Sequence, residues 1–111
     1  MITSEDYNGV CVISVASDLS GENCKITRQI VDNSIDTKHV VNFALDLEKC
    51  PFIDSEGLQT LLWIKGRCDE LFGMMKVVKL DEHCRKIFEI TRLERRFDIE
   101  NDLTVALKAM R

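Results

Sequence analysis

Between residues 39 and 80 the hydrophobic period of this chain changes twice, and that change restricts the fold more than anything else in it. From His39 to Leu47, the residues Val40, Val41, Phe43, Ala44, Leu45 and Leu47 run almost without interruption. This is the pattern of a strand covered on both faces. A polar break containing Pro51 follows, from Glu48 to Asp54. From Ser55 the spacing becomes helical. Leu58, Leu61, Leu62, Cys68, Leu71 and Phe72 share one face, and Gly73 falls where a left-handed helix cap belongs. Met74 to Leu80 reads as a second strand. Two strands joined by about 15 helical residues have the layout of a right-handed βαβ crossover with parallel strands.

The flanking segments extend the same architecture. Val10 to Ala16 is rich in β-branched residues and reads as a strand. Met1 to Tyr7 supplies a short partner strand before the turn at Asn8-Gly9, a dipeptide whose two positions tolerate positive φ. Ser17 to Gly21 is a loop, and Ile26, Ile30 and Val31 give residues 22–34 a helical face. Asp81 is positioned to cap a short helix through Ile87, Phe88 and Ile90. Phe97-Asp98-Ile99 is a short strand, and Asn101 or Asp102 caps a last helix with Leu103, Ala106, Leu107 and Met110 on its face. The whole is an α/β layer, one sheet with helices packed on it.

A chain of 111 residues is expected to form a single domain, residues 1–111, with no room for a second catalytic one. The formal net charge is −4 and the pI about 5.1, which disfavours direct nucleic-acid binding. The charge is uneven: residues 1–54 hold nine acids against four bases, and residues 55–111 ten against eleven. No run reaches the ~18 apolar residues of a membrane span, so membrane insertion is not expected. Met1 to Val10 lacks a basic residue and a hydrophobic stretch, so no secretory signal is expected there. Five scattered cysteines, none at C-x-x-C spacing, read as free thiols of a reducing cytoplasm. His83-Cys84 is the only adjacent pair of metal-ligand type, so no metal site and no cofactor are expected. No glycine-rich phosphate loop or nucleophile elbow is present, and an enzyme is not expected.

The junction Phe52-Ile53-Asp54-Ser55-Glu56-Gly57-Leu58 joins the buried strand to the best helix. Asp54 or Ser55 can accept an otherwise unpaired backbone N–H, and Asp54 and Glu56 complement the positive end of the helix dipole. In context these residues resemble the STAS domain family, the fold of bacterial anti-sigma factor antagonists. The family pattern is an apolar strand ending in Asp-Leu, a short loop, an apolar-Ile-Asp-Ser-Ser/Thr-Gly-Leu signature and a helix ending near a glycine. Here the corresponding residues are Leu45-Asp46-Leu47, then Phe52 to Leu58, then Leu61-Leu62 and Gly73. The likeness continues through Met74–Leu80 and through Ile87-Phe88-Glu89-Ile90-Thr91-Arg92-Leu93, where the family reads roughly Val-Phe-Glu-Leu-Thr-Gly-Leu. Agreement is good over residues 40–110 and looser back to about residue 9. Glu56 stands where the family usually has Ser or Thr, and Ser20 where antagonists usually carry Asp.

The resemblance implies a mixed β-sheet of four to five strands with about four helices. It implies an anti-sigma factor antagonist whose first serine after the aspartate, Ser55, is the phosphorylation site. The kinase would be the anti-sigma factor itself, a GHKL-type ATPase. A PP2C-type phosphatase would reverse the step, in the cytoplasm, with the antagonist a monomer or weak dimer. Asp54, Ser55, Glu56, Gly57, Gln59 and Ser20 then form the partner-binding face. Trp63, the only tryptophan, shares a helix stripe with Glu56, Gln59, Thr60, Arg67 and Glu70 opposite the apolar face. It reads either as an exposed partner hot spot or as a ring lying over a neighbouring helix or loop. Arg85, Lys86, Arg92, Arg95 and Arg96 against Glu89 and Glu94 form a basic stretch that a solvated helix face with local ion pairs explains, and that could also receive an acidic partner or anionic lipid. The alternative implied by the family is a STAS subunit of a membrane transport ATPase or of a stressosome-like assembly, in which Ser55 would only cap a helix.

Overall fold

In the computed structural model, which describes residues 1–110, five strands and four helices alternate after an opening hairpin. Arg111, the last residue of the stretch read as one domain, lies outside the described residues. The strands are β1 (Ile2–Tyr7), β2 (Val10–Val15), β3 (Asn42–Asp46), β4 (Met75–Val78) and β5 (Asp98–Glu100). The helices are α1 (Gly21–Lys38), α2 (Ser55–Glu70), α3 (Glu82–Ile90) and α4 (Leu103–Ala109). All five strands form one mixed sheet in the order β1-β2-β3-β4-β5. β1 is antiparallel to β2 through the Asn8-Gly9 turn, where both residues have positive φ, and the remaining pairs are parallel.

Alternation along the strands divides the core between the two faces. Cys11, Ile13, Val15, Phe43, Leu45, Met75 and Val77 point toward α1, α2 and α3, which contribute Cys24, Val31, Leu61, Ile64, Cys68 and Phe88. On the other face Val10, Val12, Ala44 and Val78 are covered by Ala106 of α4 and by Met110, its C-cap. The central strands are buried on both sides, which is why they read as continuous apolar runs. Lys76, buried on β4, is held by an ion pair to Asp98 on the adjacent strand.

Several boundaries differ from the sequence expectation for local reasons. The strand expected over His39–Leu47 begins only at Asn42. His39 has φ 57, and the Val40 N–H returns to the Ser34 carbonyl at 3.0 Å, so these residues end α1, which runs to Lys38. Gly73 is not the left-handed cap of α2. That conformation falls on Phe72, φ 58, with the Gly73 N–H on the Cys68 carbonyl at 2.8 Å. Gly73 is required for another reason: a Cβ there would sit 1.9 Å from the Val41 carbonyl oxygen. The chain therefore leaves the helix before Leu71 and Phe72 can join its buried face, and both are exposed. Ile90, expected on the apolar side of α3, is 81% exposed. Asp102, not Asn101, caps α4.

Two substitutions separate close approach from backbone strain. Gly73→Ala is expected to lower stability by about 2–3 kcal/mol, because the backbone of Val41 must move. His39→Gly is expected to raise it by about 0.5–1 kcal/mol by removing a left-handed non-glycine residue. Urea unfolding of the two variants checks both signs.

Candidate functional site

The site grows from the first turn of α2. Asp54 is the N-cap: its Oδ1 accepts the Gly57 N–H at 2.8 Å, and its carbonyl accepts that of Leu58 at 2.9 Å. Ile53 before the cap and Leu58 in the first turn both belong to the core, the arrangement of a hydrophobic staple. The cap is therefore Asp54, and Ser55 is left as the first helical residue with an exposed side chain. Glu56 and Gln59 are exposed beside it.

A second loop is fastened against this turn. The Leu19 N–H donates to the Phe52 carbonyl at 3.0 Å, and Leu19 and Ile53 form an isolated parallel bridge. Gly57 lies directly under this loop. A Cβ at that position would fall 2.2 Å from the Leu19 carbonyl oxygen and 2.7 Å from Ile53 Cγ2. The glycine of the signature thus permits contact, and it is buried rather than presented to a partner. Ser20 follows Leu19 and precedes α1. It is half-buried, with an extended backbone and no side-chain capping bond, so its hydroxyl remains available next to the first turn of α2. Asn23 braces the loop by donating to Ser17 Oγ at 2.9 Å and to the Asp18 carbonyl at 2.8 Å.

The loop before Asp54 is held from below. The Cys84 thiol of α3 donates to the Cys50 carbonyl at 3.2 Å, and the Cys50 thiol to the Phe52 carbonyl at 3.4 Å. Cys24 is buried on α1. Burial raises its thiol above the ordinary value, the Thr60 hydrogen bond partly offsets this, and the carboxylates of Glu56 and Asp54 add to it. All five cysteines are buried free thiols, and burial pushes Cys68 up to about 11.

Trp63 is not an exposed hot spot. It is half-buried and packs against the main core. Its neighbours on the stripe face α1: Arg28 donates to Thr60 Oγ1 at 3.0 Å, and Arg67 pairs with Asp32 at 2.7 Å while its guanidinium lies 5.8 Å from the indole centroid. The structure thus gathers Asp54, Ser55, Glu56, Gln59 and Ser20 at one surface and assigns Trp63 to the contact between helices. Sequence reading missed Leu19 and Asn23. The available signal for Leu19 was a single large apolar residue within an otherwise polar loop.

This is a helix N-terminus with one exposed hydroxyl, two flanking carboxylates and a fastened neighbouring loop. The sequence matches the STAS domain over residues 1–106. The chain belongs to the STAS domain family. No curated protein matches the sequence. Among solved structures, TM1081 of Thermotoga maritima aligns with a TM-score of 0.90 at 19% identity, over 98% of this chain and 93% of that one. The Bacillus cell fate determinant SpoIIAA, an anti-sigma factor antagonist, aligns in its phosphorylated form with a TM-score of 0.80 at 18% identity, over all of both chains. Its unphosphorylated form aligns at 0.76. A sulfate transporter family protein of Wolinella succinogenes aligns at 0.81 with 12% identity, over 94% of this STAS chain and 86% of that one. These likenesses place the five-stranded sheet and four helices in the STAS fold.

The cap and the exposed hydroxyl should respond differently to truncation. Asp54→Ala is expected to cost about 1 kcal/mol of stability through the lost N-cap. Ser55→Ala is expected to stay within about 0.5 kcal/mol of the parent, because an exposed side chain without a partner is removed. Thermal unfolding followed by circular dichroism distinguishes the two.

Proposed function

We propose that this STAS protein is an anti-sigma factor antagonist in the cytoplasm, switched by phosphorylation of Ser55. In this reading the unphosphorylated chain binds an anti-sigma factor kinase of the GHKL type through Ser55, Glu56, Gln59 and the Ser20 loop, and frees a sigma factor. The kinase transfers the γ-phosphoryl group of ATP to Ser55 Oγ; the hydroxyl proton leaves and ADP is released. A PP2C-type phosphatase hydrolyses the phosphate ester and restores binding. The chain is a substrate and binding partner, and the catalytic groups belong to the two enzymes.

The observation that carries this reading is the exposure of Ser55 at a turn whose capping is done by Asp54. A phosphate there leaves the cap bond in place. It adds about 1.5 to 2 negative charges beside Asp54 and Glu56. Unit charges at about 4 Å repel by about 1 kcal/mol in water and about 4 kcal/mol at an effective dielectric of 20. The helix N-terminus offsets part of this within the fold. An interface has no such compensation, and each ~1.4 kcal/mol is tenfold in affinity. The alignment of this chain with SpoIIAA in both its forms supports a fold that tolerates the modification in that protein.

The likeness to a sulfate transporter family protein favours one rival, a STAS subunit bound to a membrane transporter. Among the described residues no helix is long and apolar enough to cross a membrane. Capture from native lysate with wild-type, Ser55→Ala and Ser55→Asp baits separates the two. The switch is expected to retain a small GHKL-type kinase on the first two baits and to lose it, by at least about tenfold in affinity, on the third. Equal retention of one transporter by all three baits would overturn the switch and leave Ser55 as part of a helix start.

A further inference from the structure

Both α2 and α3 break local rules where they end, and the two ends lie side by side. Strands β3, β4 and β5 are parallel, so the turn after α2 and the turn after α3 reach the sheet at its N-terminal edge, at neighbouring strands. Ser55 lies at the opposite end of α2. On the first turn Phe72 adopts φ 58 and is 96% exposed, with Leu71 and Met74 also exposed. An aromatic side chain in the left-handed region is unfavourable twice over, in backbone strain and in apolar surface left in water. Asp69 and Glu70 stand at the same helix end, where the dipole disfavours acids.

The second turn carries the complement. Ile90 is exposed at the end of α3, and Arg92, φ 60, Arg95 and Arg96 follow within six residues, all exposed. Among the described residues, none of these three arginines forms an ion pair, and neither does Glu70. Among the described residues Asp69 pairs only with Lys65 of its own helix, half-buried, at 3.4 Å. Glu89 and Glu94 lie among these arginines, so residues 89–96 carry a net charge of +1, and one edge of the molecule shows an acidic patch with an apolar centre beside a weakly basic one with an apolar centre.

We infer that this edge is a two-fold interface with a second copy of the same chain, in which the Phe72 patch of one copy packs on the Ile90–Arg96 patch of the other. Two adjacent patches of opposite charge are self-complementary under a two-fold axis, because each copy offers both halves of the same contact. Phe72 and Ile90 supply the apolar centre, and Glu70 faces the arginines across it. The patch is smaller than the ~20–30 residues a side of a standard interface, so the dimer is weak and depends on concentration. Its ion pairs are peripheral and are screened as salt rises. The edge is remote from Ser55, so the inference stands whether or not the phosphorylation switch does.

Sedimentation equilibrium of the intact chain over a wide concentration range tests it, using the wild type and the variants Phe72→Gly and Ile90→Ser. The wild type is expected to show a monomer–dimer equilibrium whose Kd rises at least severalfold between low and high salt. Phe72→Gly is expected to melt at a higher temperature than wild type when both are dilute and monomeric, while its dimer weakens at least tenfold. A mixture of Phe72→Gly and Ile90→Ser is expected to dimerise more tightly than either alone, because the mixed pair keeps one contact intact. A wild type that stays monomeric throughout overturns the inference. So do a dimer that Phe72→Gly leaves unchanged, assembly beyond the dimer, and a monomer that instead binds vesicles of anionic lipid through its arginines.

Discussion

The structure depends on two places, one in the first turn of helix α2 and one in the turn that follows it, where the chain touches a carbonyl through a residue without a side chain. Gly57 lies under the Leu19 carbonyl at one end, and Gly73 against the Val41 carbonyl at the other, each closer than a Cβ would allow. Between them the helix is fixed over the sheet at both edges. The first contact brings the loop after β2 to the turn that starts α2. The second sets how the chain enters β4. Hydrophobic burial drives α2 onto the sheet but is non-directional; the glycine contacts determine where it stops.

That placement divides two tasks that often fall to one residue. Asp54 satisfies the helix start with its own carboxylate, so the Ser55 side chain caps nothing and is left exposed. The loop at Leu19 is tied to Phe52 by the backbone, independent of the Ser55 side chain. A negative group at Ser55 can thus alter the surface while leaving the scaffold in place. The same division recurs at the other end of α2, where the Gly73 contact carries the packing and Phe72 is left exposed.

Much of this was legible in the residues. The β-branched run Val10–Ala16 and the nearly continuous apolar run His39–Leu47 identified two central strands, the second because burial on both faces suppresses alternation. The change of period at Ser55 located the start of α2, and Asp81 was named as the cap it proves to be. The errors have physical causes. Gly73 was read from its position in a helix-end pattern, but the left-handed turn came one residue earlier, and the glycine answers to Val41, a contact across the sheet. Thr60 and Arg67 were read on a stripe opposite the apolar face, and Trp63 as either an exposed hot spot or a ring over a neighbouring element, of which the second holds; hydrophobic patterning does not register a polar contact between helices. Arg28 and Asp32 on α1 supply that contact. The last turn of α1 was missed because Asp36, Thr37 and Lys38 face solvent and leave no apolar signal.

The central claim is that one exposed hydroxyl, at Ser55, receives the charge. Mapping of phosphorylated peptides on the chain isolated from its native cells, in growth and under stress, tests it most directly. The expected result is phosphate on Ser55, with occupancy that changes between the two conditions. Phosphate on Ser20 alone, or a Ser55 that stays unmodified in every condition, would contradict it.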